Sequence, residues 1–250
     1  MQLTHWDVLL WISGYVGNIC LMIVLLVKRR YKTFPWFTLF LANELIQDPL
    51  LALIQHYGSR RQYGYTYWSL DILDSLLLVF VIFELARVVT KTIDEHKGVF
   101  RTHELLWVGA ALLLMGVMCW ILLPGLPDAR PIVALAFKAA TVSTVIMLGL
   151  TGYVSLAVFF YGVRFRVHAA AITYGLTAYV LTRMLIYVGV VNTSSFELEE
   201  KLLRWSKPLY ILMLFVWSLM LWLEEPKRKL STEMHALITR KRSIERAHAK

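Results

Sequence analysis

The sequence predicts an all-α membrane protein, a bundle of seven transmembrane helices. Of its 250 residues, 58% are hydrophobic, whereas soluble domains are about 45–50% apolar. The apolar residues gather in seven segments, and a helix of about 20 such residues crosses about 30 Å of hydrocarbon. Because these segments occupy most of the chain, we expect short connections and no separate soluble catalytic domain.

The predicted helices span residues 6–27, 34–54, 67–89, 105–123, 132–161, 169–191 and 205–223. They form one transmembrane domain over residues 1–223, followed by a basic, partly helical tail over residues 224–250. The first segment lacks a basic leading region and a cleavage site, so we interpret it as a retained helix and not as a signal peptide. The fifth segment exceeds one bilayer crossing, which predicts tilt or protrusion.

Three prolines mark positions in the predicted helices. Pro35 and Pro208 fall in the first turns of helices two and seven, where a missing N–H has little effect. Pro49 falls inside helix two, where it removes a backbone hydrogen bond and predicts a kink near Leu45–Gln47.

The orientation follows from the distribution of basic residues. Most of the 26 Lys and Arg residues lie after helices one, three and five and in the tail. Cytoplasmic loops are enriched in Lys and Arg, so the N-terminus is predicted outside and the C-terminus in the cytoplasm. We expect a multi-pass protein of the bacterial inner membrane. Its net charge of +9 then reflects topology, and no nucleic-acid partner is expected.

Polar residues inside the predicted spans are the candidate site. Ionisable residues in a membrane are costly and usually face the interior of a bundle. Helix two carries Glu44 and Asp48, which share a face at i,i+4, with Gln47 beside them. Helix three carries Asp71 and Asp74 near its outer end. Each group is either a functional site or part of a structural hydrogen-bond network.

Arg183 is the basic residue deepest in helix six, and Tyr179 and Tyr187 flank it at i±4. A lone buried guanidinium is costly, which predicts an ion pair across the bundle. The candidate partners are the carboxylates of helices two and three: Asp74, Asp48 and Glu44. Together these residues predict a polar cavity that opens outward and binds a small ligand, with helix-to-helix stabilisation as the equal alternative.

Two other charged positions have simpler interpretations. Glu84 and Arg87 are i,i+3 at the cytoplasmic end of helix three, which predicts an ion pair and, as the less ordinary alternative, a switch. Lys207 lies early in predicted helix seven. A retinal-binding lysine would be mid-membrane, so we interpret Lys207 as too shallow for that chemistry.

No pattern indicates an enzyme. The sequence contains no H-E-x-x-H, G-x-S-x-G or P-loop motif. None of the seven histidines falls in the centre of a predicted span, which argues against an intramembrane zinc site. We therefore expect neither a metal nor a cofactor. The basic tail is predicted to contact anionic lipid or a cytoplasmic partner, or else to be solvated.

Four short stretches, taken in order, resemble a group of seven-helix membrane proteins seen especially in acidobacteria. They are Arg30 through Phe34-Pro35-Trp36-Phe37, Tyr67-Trp68 with Asp71, Ile82-Phe83-Glu84, and Leu223-Glu224-Glu225-Pro226. The resemblance implies the fold and the orientation but no established activity. It also implies that Asp71 and Glu84 are family features, while Glu44 and Asp48 have no obvious counterpart.

Three functions are compatible with this pattern. We expect a sensor or receptor-like protein that binds a small ligand in the outward-facing cavity and signals to a cytoplasmic partner. The first alternative is a small transporter or a proton or solute channel that uses Glu44 near the midplane. The second is a structural subunit of a larger membrane complex.

Overall fold

The computed structural model describes residues 5–97, 102–123, 131–161, 167–193 and 196–224. Within these ranges it contains seven α-helices, a 3-10 helix at Arg30–Lys32 and no strand, so the all-α class is confirmed. The predicted helix in the tail lies outside the described residues. The α-helices are α1 (His5–Val27), α2 (Pro35–Tyr57), α3 (Arg60–Lys97), α4 (Thr102–Leu122), α5 (Pro131–Tyr161), α6 (Val167–Thr193) and α7 (Phe196–Trp222).

Two helices are longer than their apolar segments. Both α3 and α7 continue into polar sequence, because an apolar segment marks the part of a helix that avoids water and not the helix ends. The prediction that Pro208 opens the last helix is therefore wrong, since it lies inside α7. Pro35 does begin α2. That helix is continuous through Pro49, and the kink stays a prediction.

The helices form a closed arrangement in which α3 has the most neighbours. Each helix packs on the next along the chain, and α1 also packs on α7. In addition, α3 contacts α5 and α6, while α4 lies at the periphery against α3 and α5. The five helices α1, α2, α3, α6 and α7 consequently surround a common interior.

The distribution of polar and apolar side chains is the reverse of that in a soluble domain. Large apolar side chains cover the exterior, with Phe159 81% and Ile121 69% exposed, whereas Asn18 and Asp74 are buried. Within the part of the chain that the structure describes, three stretches are long and apolar enough to cross a membrane: Val8–Val27, Pro35–Tyr57 and Pro131–Leu156. Shorter apolar helical stretches lie at Trp107–Leu122 and Lys207–Trp222. Such a surface is compatible with a membrane protein.

A cluster of fully buried apolar side chains fills the middle of the five-helix interior. We define the apolar plug as nine of these side chains: Leu21, Leu25, Phe37, Phe40, Leu41, Leu78, Ile82, Leu85 and Trp217. The Trp217 indole donates to the carbonyl of Ala171 over 3.0 Å. Gly175 makes this contact possible, because a Cβ there would lie 2.3 Å from the Trp217 Nε1. The plug separates two polar regions at opposite ends of the bundle.

Candidate functional site

One end of the bundle contains a cavity of about 390 Å³ between α1, α2, α3, α6 and α7. Its lining comes from the starts of α1 and α3 and from the later parts of α2 and α6, so we call this end the cavity end. Seven of the predicted ligand-binding residues line it: Glu44, Gln47, Asp48, Asp71, Asp74, Tyr179 and Arg183. The side chain of Tyr187, the eighth, lies outside the described residues. Their role in binding stays a prediction.

Arg183 bridges α6 to α3 through two carboxylates. Its Nη1 donates to Asp74 Oδ2 over 2.9 Å and its Nη2 donates to Asp71 Oδ1. The predicted ion pair between Arg183 and a carboxylate across the bundle is confirmed. Asp74, one of the three candidates, is one partner, and Asp71, which was not a candidate, is the other. Arg183 is 16% exposed, against 4% for Asp74. Charge-assisted hydrogen bonds of this kind are stronger than neutral ones, and they fix the orientation of the guanidinium between the two carboxylates.

The local sequence of α3 explains this arrangement. Asp71 and Asp74 are i,i+3, so the two carboxyl groups lie one above the other on the face toward α6. Ser75 donates its hydroxyl to the Asp71 carbonyl over 3.0 Å and therefore does not compete for the carboxylate. One acceptor is left over, because Oδ1 of Asp74 is buried and has no hydrogen-bond partner.

Glu44, on the α2 side of the cavity, makes a longer hydrogen bond to its partner than Asp74 does. The Tyr179 hydroxyl lies 3.4 Å from Glu44 Oε1, which is the long limit of a hydrogen bond. The Tyr179 ring packs against Tyr210, with ring centroids 5.6 Å apart. Tyr210 in turn donates to Asn18 Oδ1 over 2.9 Å. Polar and aromatic contacts thus connect α2, α6, α7 and α1 around the cavity.

Several lining residues were not predicted as part of the site: Trp11, Tyr15, Asn18, Tyr67, Lys207 and Tyr210. Lys207 was predicted too shallow because α7 was expected to begin near residue 205, whereas it begins at Phe196. Lys207 and Tyr210 are i,i+3 and share one face of α7. This spacing predicts a shared face, but it does not predict that the face borders the cavity.

Acidic side chains outnumber basic ones in the lining of the cavity. Four carboxylates line it, those of Glu44, Asp48, Asp71 and Asp74, against the two basic groups of Arg183 and Lys207. Among the described residues, no group of three His, Cys, Asp or Glu side chains has the arrangement of a metal site.

Glu84 lies at the opposite end, which we call the Glu84 end, and it has a different role from the predicted one. Its Oε1 accepts the backbone N–H of Trp36 over 3.0 Å, and its Oε2 accepts that of Phe37 over 3.1 Å. These are unsatisfied donors at the start of α2, where Phe34 offers no side-chain cap. The predicted Glu84–Arg87 ion pair is absent among the described contacts, because α2 occupies both oxygens and Arg87 is exposed.

The end of α7 is also fixed at the Glu84 end. His168 Nε2 lies 2.9 Å from the carbonyl oxygen of Leu223, and Arg30 Nη2 donates to the same oxygen over 3.4 Å. Side chains from α6 and from the connection after α1 therefore satisfy a carbonyl that α7 itself leaves unpaired.

Comparisons of the chain with protein-family models, curated proteins and solved structures give no match. The geometry of the site is therefore the basis for a functional assignment, and the resemblance to the acidobacterial group stays a prediction.

Proposed function

We propose that this chain is a seven-helix receptor of the bacterial inner membrane that binds a small ligand in its outward-facing cavity and signals to a cytoplasmic partner. The observation that supports the proposal best is the cavity itself. Its volume of about 390 Å³ falls in the range of small-molecule sites. Its charged lining lies inside a bundle whose exterior is apolar, which is where a membrane protein keeps its functional polar groups.

The basic residues support the proposed orientation. Arg29, Arg30 and Lys32 lie in the connection between α1 and α2, at the Glu84 end, and Arg87 lies near the same end of α3. Because cytoplasmic loops are enriched in Lys and Arg, we assign the Glu84 end to the cytoplasm. The cavity end then faces outside the cell.

The apolar plug favours a receptor over an open channel. Its fully buried side chains come from the same helices that line the cavity, and they fill the interior between the cavity and Glu84. A conducting pore would need a continuous polar or hydrated path. A ligand that alters the α3–α6 or α2–α6 contacts in the cavity would instead change helix packing, and the cytoplasmic ends of the helices would move with it.

A transporter is the second candidate, and the position of Glu44 favours it. Glu44 lies at the inner side of the cavity, on a helix that contains Pro49 within the same turn as Asp48. A transporter of this design would open the plug in an alternating cycle. Uptake into proteoliposomes that stops in Glu44→Gln would support this function, whereas ligand binding without flux supports the receptor.

The proposed binding is tested by native mass spectrometry of protein extracted gently from its own membrane. We expect a small-molecule adduct that weakens in Glu44→Gln, a variant that keeps the size of the side chain. Thr177→Val is the matched control, because Thr177 bonds to Thr151 over 2.5 Å between α5 and α6 and does not line the cavity. A wild-type protein without any adduct would contradict the proposal, and co-purification of another membrane protein would point to an assembly subunit.

The orientation is tested with single cysteines in a Cys20→Ser, Cys119→Ser background. Tyr57→Cys introduces a thiol at the exposed end of α2 at the cavity end, and Thr33→Cys introduces one at the Glu84 end. A membrane-impermeant maleimide added to intact spheroplasts should label residue 57 and not residue 33. The reverse pattern would place the cavity on the cytoplasmic side.

A further inference from the structure

We propose that the ligand of this cavity is a small organic cation whose protonated amino group is bound by Asp74, Glu44 and Asp48. This inference rests on the proposed function, because it assumes that the cavity is a ligand site. It adds the chemical class of the ligand. Three features of the cavity carry it: the use of Arg183, the unused carboxylate acceptors and the aromatic walls.

Arg183 is one of two basic groups in the cavity that would attract an anion, and it already bridges two carboxylates. Two of its nitrogens donate to carboxylates of α3. An anionic ligand that took either of these hydrogen bonds would displace Asp71 or Asp74 and leave a buried carboxylate without its cation. Such a loss is strongly unfavourable, so the Arg183 ion pair disfavours an anion at this position.

In contrast, the carboxyl groups of the cavity include an oxygen that accepts no hydrogen bond from the described residues. This oxygen is the buried Oδ1 of Asp74, a residue that lines the cavity. Glu44 accepts the long hydrogen bond from Tyr179 and also interacts with Asp74, and Asp48 lines the same wall. An ammonium group has three N–H donors and no acceptor. It therefore matches a site in which carboxylate oxygens from α2 and α3 converge.

Aromatic rings form much of the remaining lining. Trp11 and Tyr15 come from α1, and Tyr67, Tyr179 and Tyr210 come from α3, α6 and α7. The faces of such rings attract cations and pack against the apolar part of a ligand. Carboxylates and aromatic rings together are the lining expected around an organic amine rather than around an inorganic ion.

Two donors in the cavity indicate a second ligand group. Gln47 Nε2 is buried without a partner, and the Lys207 side chain also lines the cavity. Among the described residues, no carboxylate forms an ion pair with Lys207. The pair suits an acceptor at the other end of the ligand, such as a hydroxyl or a carboxylate. Simple amines and zwitterionic amino acids both carry an ammonium group. Only the amino acid also has a carboxylate that Lys207 could bind, so the contribution of Lys207 distinguishes the two classes.

The test uses four probes of similar size: phenethylamine, phenylalanine, 3-phenylpropionate and 2-phenylethanol. Binding of each is measured by calorimetry on the full chain in nanodiscs. We expect phenethylamine or phenylalanine to bind at least about tenfold more tightly than the acid and the alcohol, since about 1.4 kcal/mol corresponds to a factor of ten. In Asp48→Asn and in Glu44→Gln this preference should fall by about tenfold, while Thr177→Val should leave it unchanged.

The Lys207→Met variant separates the two sources of the ammonium group. Loss of affinity for phenylalanine alone identifies a zwitterion as the natural class, and unchanged affinities identify a simple amine. Tighter binding of 3-phenylpropionate than of phenethylamine would overturn the inference and leave the proposed function intact. An endogenous adduct without a basic nitrogen would do the same. The absence of binding by all four probes, together with the absence of an adduct, would overturn both.

Discussion

The two ends of the bundle both place carboxylates in the protein interior, yet they use them differently. At the Glu84 end, one carboxylate accepts two backbone N–H groups from the start of α2, and each of its oxygens has a partner. At the cavity end, Arg183 bridges Asp71 and Asp74, and one oxygen of Asp74 stays without a partner.

This difference separates a structural link from a candidate site. A buried polar group whose hydrogen bonds are complete stabilises one arrangement and offers nothing to a ligand. A buried acceptor without a partner is costly, so in a native protein it requires an explanation, such as a ligand or a bound water. Glu84 therefore fixes α2 to α3, whereas the cavity end retains the capacity to bind.

The largest expected effect is at the cavity end, in Arg183→Met. Removing the guanidinium leaves Asp71 and Asp74 facing each other without their cation, and breaking a buried pair in this way costs about 3–5 kcal/mol. We expect a loss of this size in the free energy of unfolding, measured by SDS-induced unfolding followed by circular dichroism.

A triple variant tests whether charge is the cause of that loss. When Asp71→Asn and Asp74→Asn are added to Arg183→Met, no uncompensated charge remains, and most of the stability should return. If the triple variant is as unstable as the single one, then packing of the arginine stem and not its charge holds α3 to α6.

The next largest effect is expected at the Glu84 end. Glu84→Ala leaves the N–H groups of Trp36 and Phe37 without acceptors, and each hydrogen bond to a charged group contributes about 1.5–3 kcal/mol. We expect destabilisation by about 3 kcal/mol, with a smaller loss in Glu84→Gln, which keeps an acceptor oxygen. Arg87→Ala is the control and should change stability little. A loss of stability in Arg87→Ala equal to that in Glu84→Ala would instead support the predicted ion pair between Glu84 and Arg87.

Alanine substitutions at two glycines test how tightly the helices pack near the plug and near the cavity. A Cβ at Gly175 would lie 2.3 Å from Trp217 Nε1, whereas one at Gly14, which lines the cavity, has no atom within 4 Å. Overpacking costs about 1–3 kcal/mol, so Gly175→Ala should lower the unfolding temperature. Gly14→Ala should maintain or raise it, because alanine is the better helix former by about 1 kcal/mol. Equal losses in both variants would mean that the cavity is closed in solution.

Hydropathy and the cost of buried charge predicted much of this molecule. The apolar segments predicted all seven helices, since exclusion from water and helix formation coincide in these stretches. The need of a buried guanidinium for an anion predicted that Arg183 pairs with a carboxylate across the bundle. It left three candidates open and did not include Asp71, because the choice among carboxylates depends on helix packing.

The remaining features depend on how the helices approach one another. Glu84 was assigned to Arg87 because the two are one turn apart, yet its actual partners are in α2 and have no local signature in the sequence. Lys207 was placed at a helix start because the preceding residues are polar, although they continue the helix. Spacing along one helix gives the face of a residue but not the neighbouring helix.

The smallest expected effect concerns the link between α7 and α1. Tyr210→Phe removes the hydroxyl that donates to Asn18 over 2.9 Å, and a neutral hydrogen bond contributes about 1 kcal/mol. We expect a loss of that order in unfolding free energy. The aromatic ring remains, so affinity for phenethylamine should persist if the ring face contributes to cation binding. Tyr210→Leu removes the ring as well, and it should weaken amine binding further while leaving 2-phenylethanol binding nearly unchanged. If Tyr210→Phe abolishes amine binding and Tyr210→Leu adds nothing, the hydroxyl and not the ring contacts the ligand, and the Asn18 link is part of the site rather than its support.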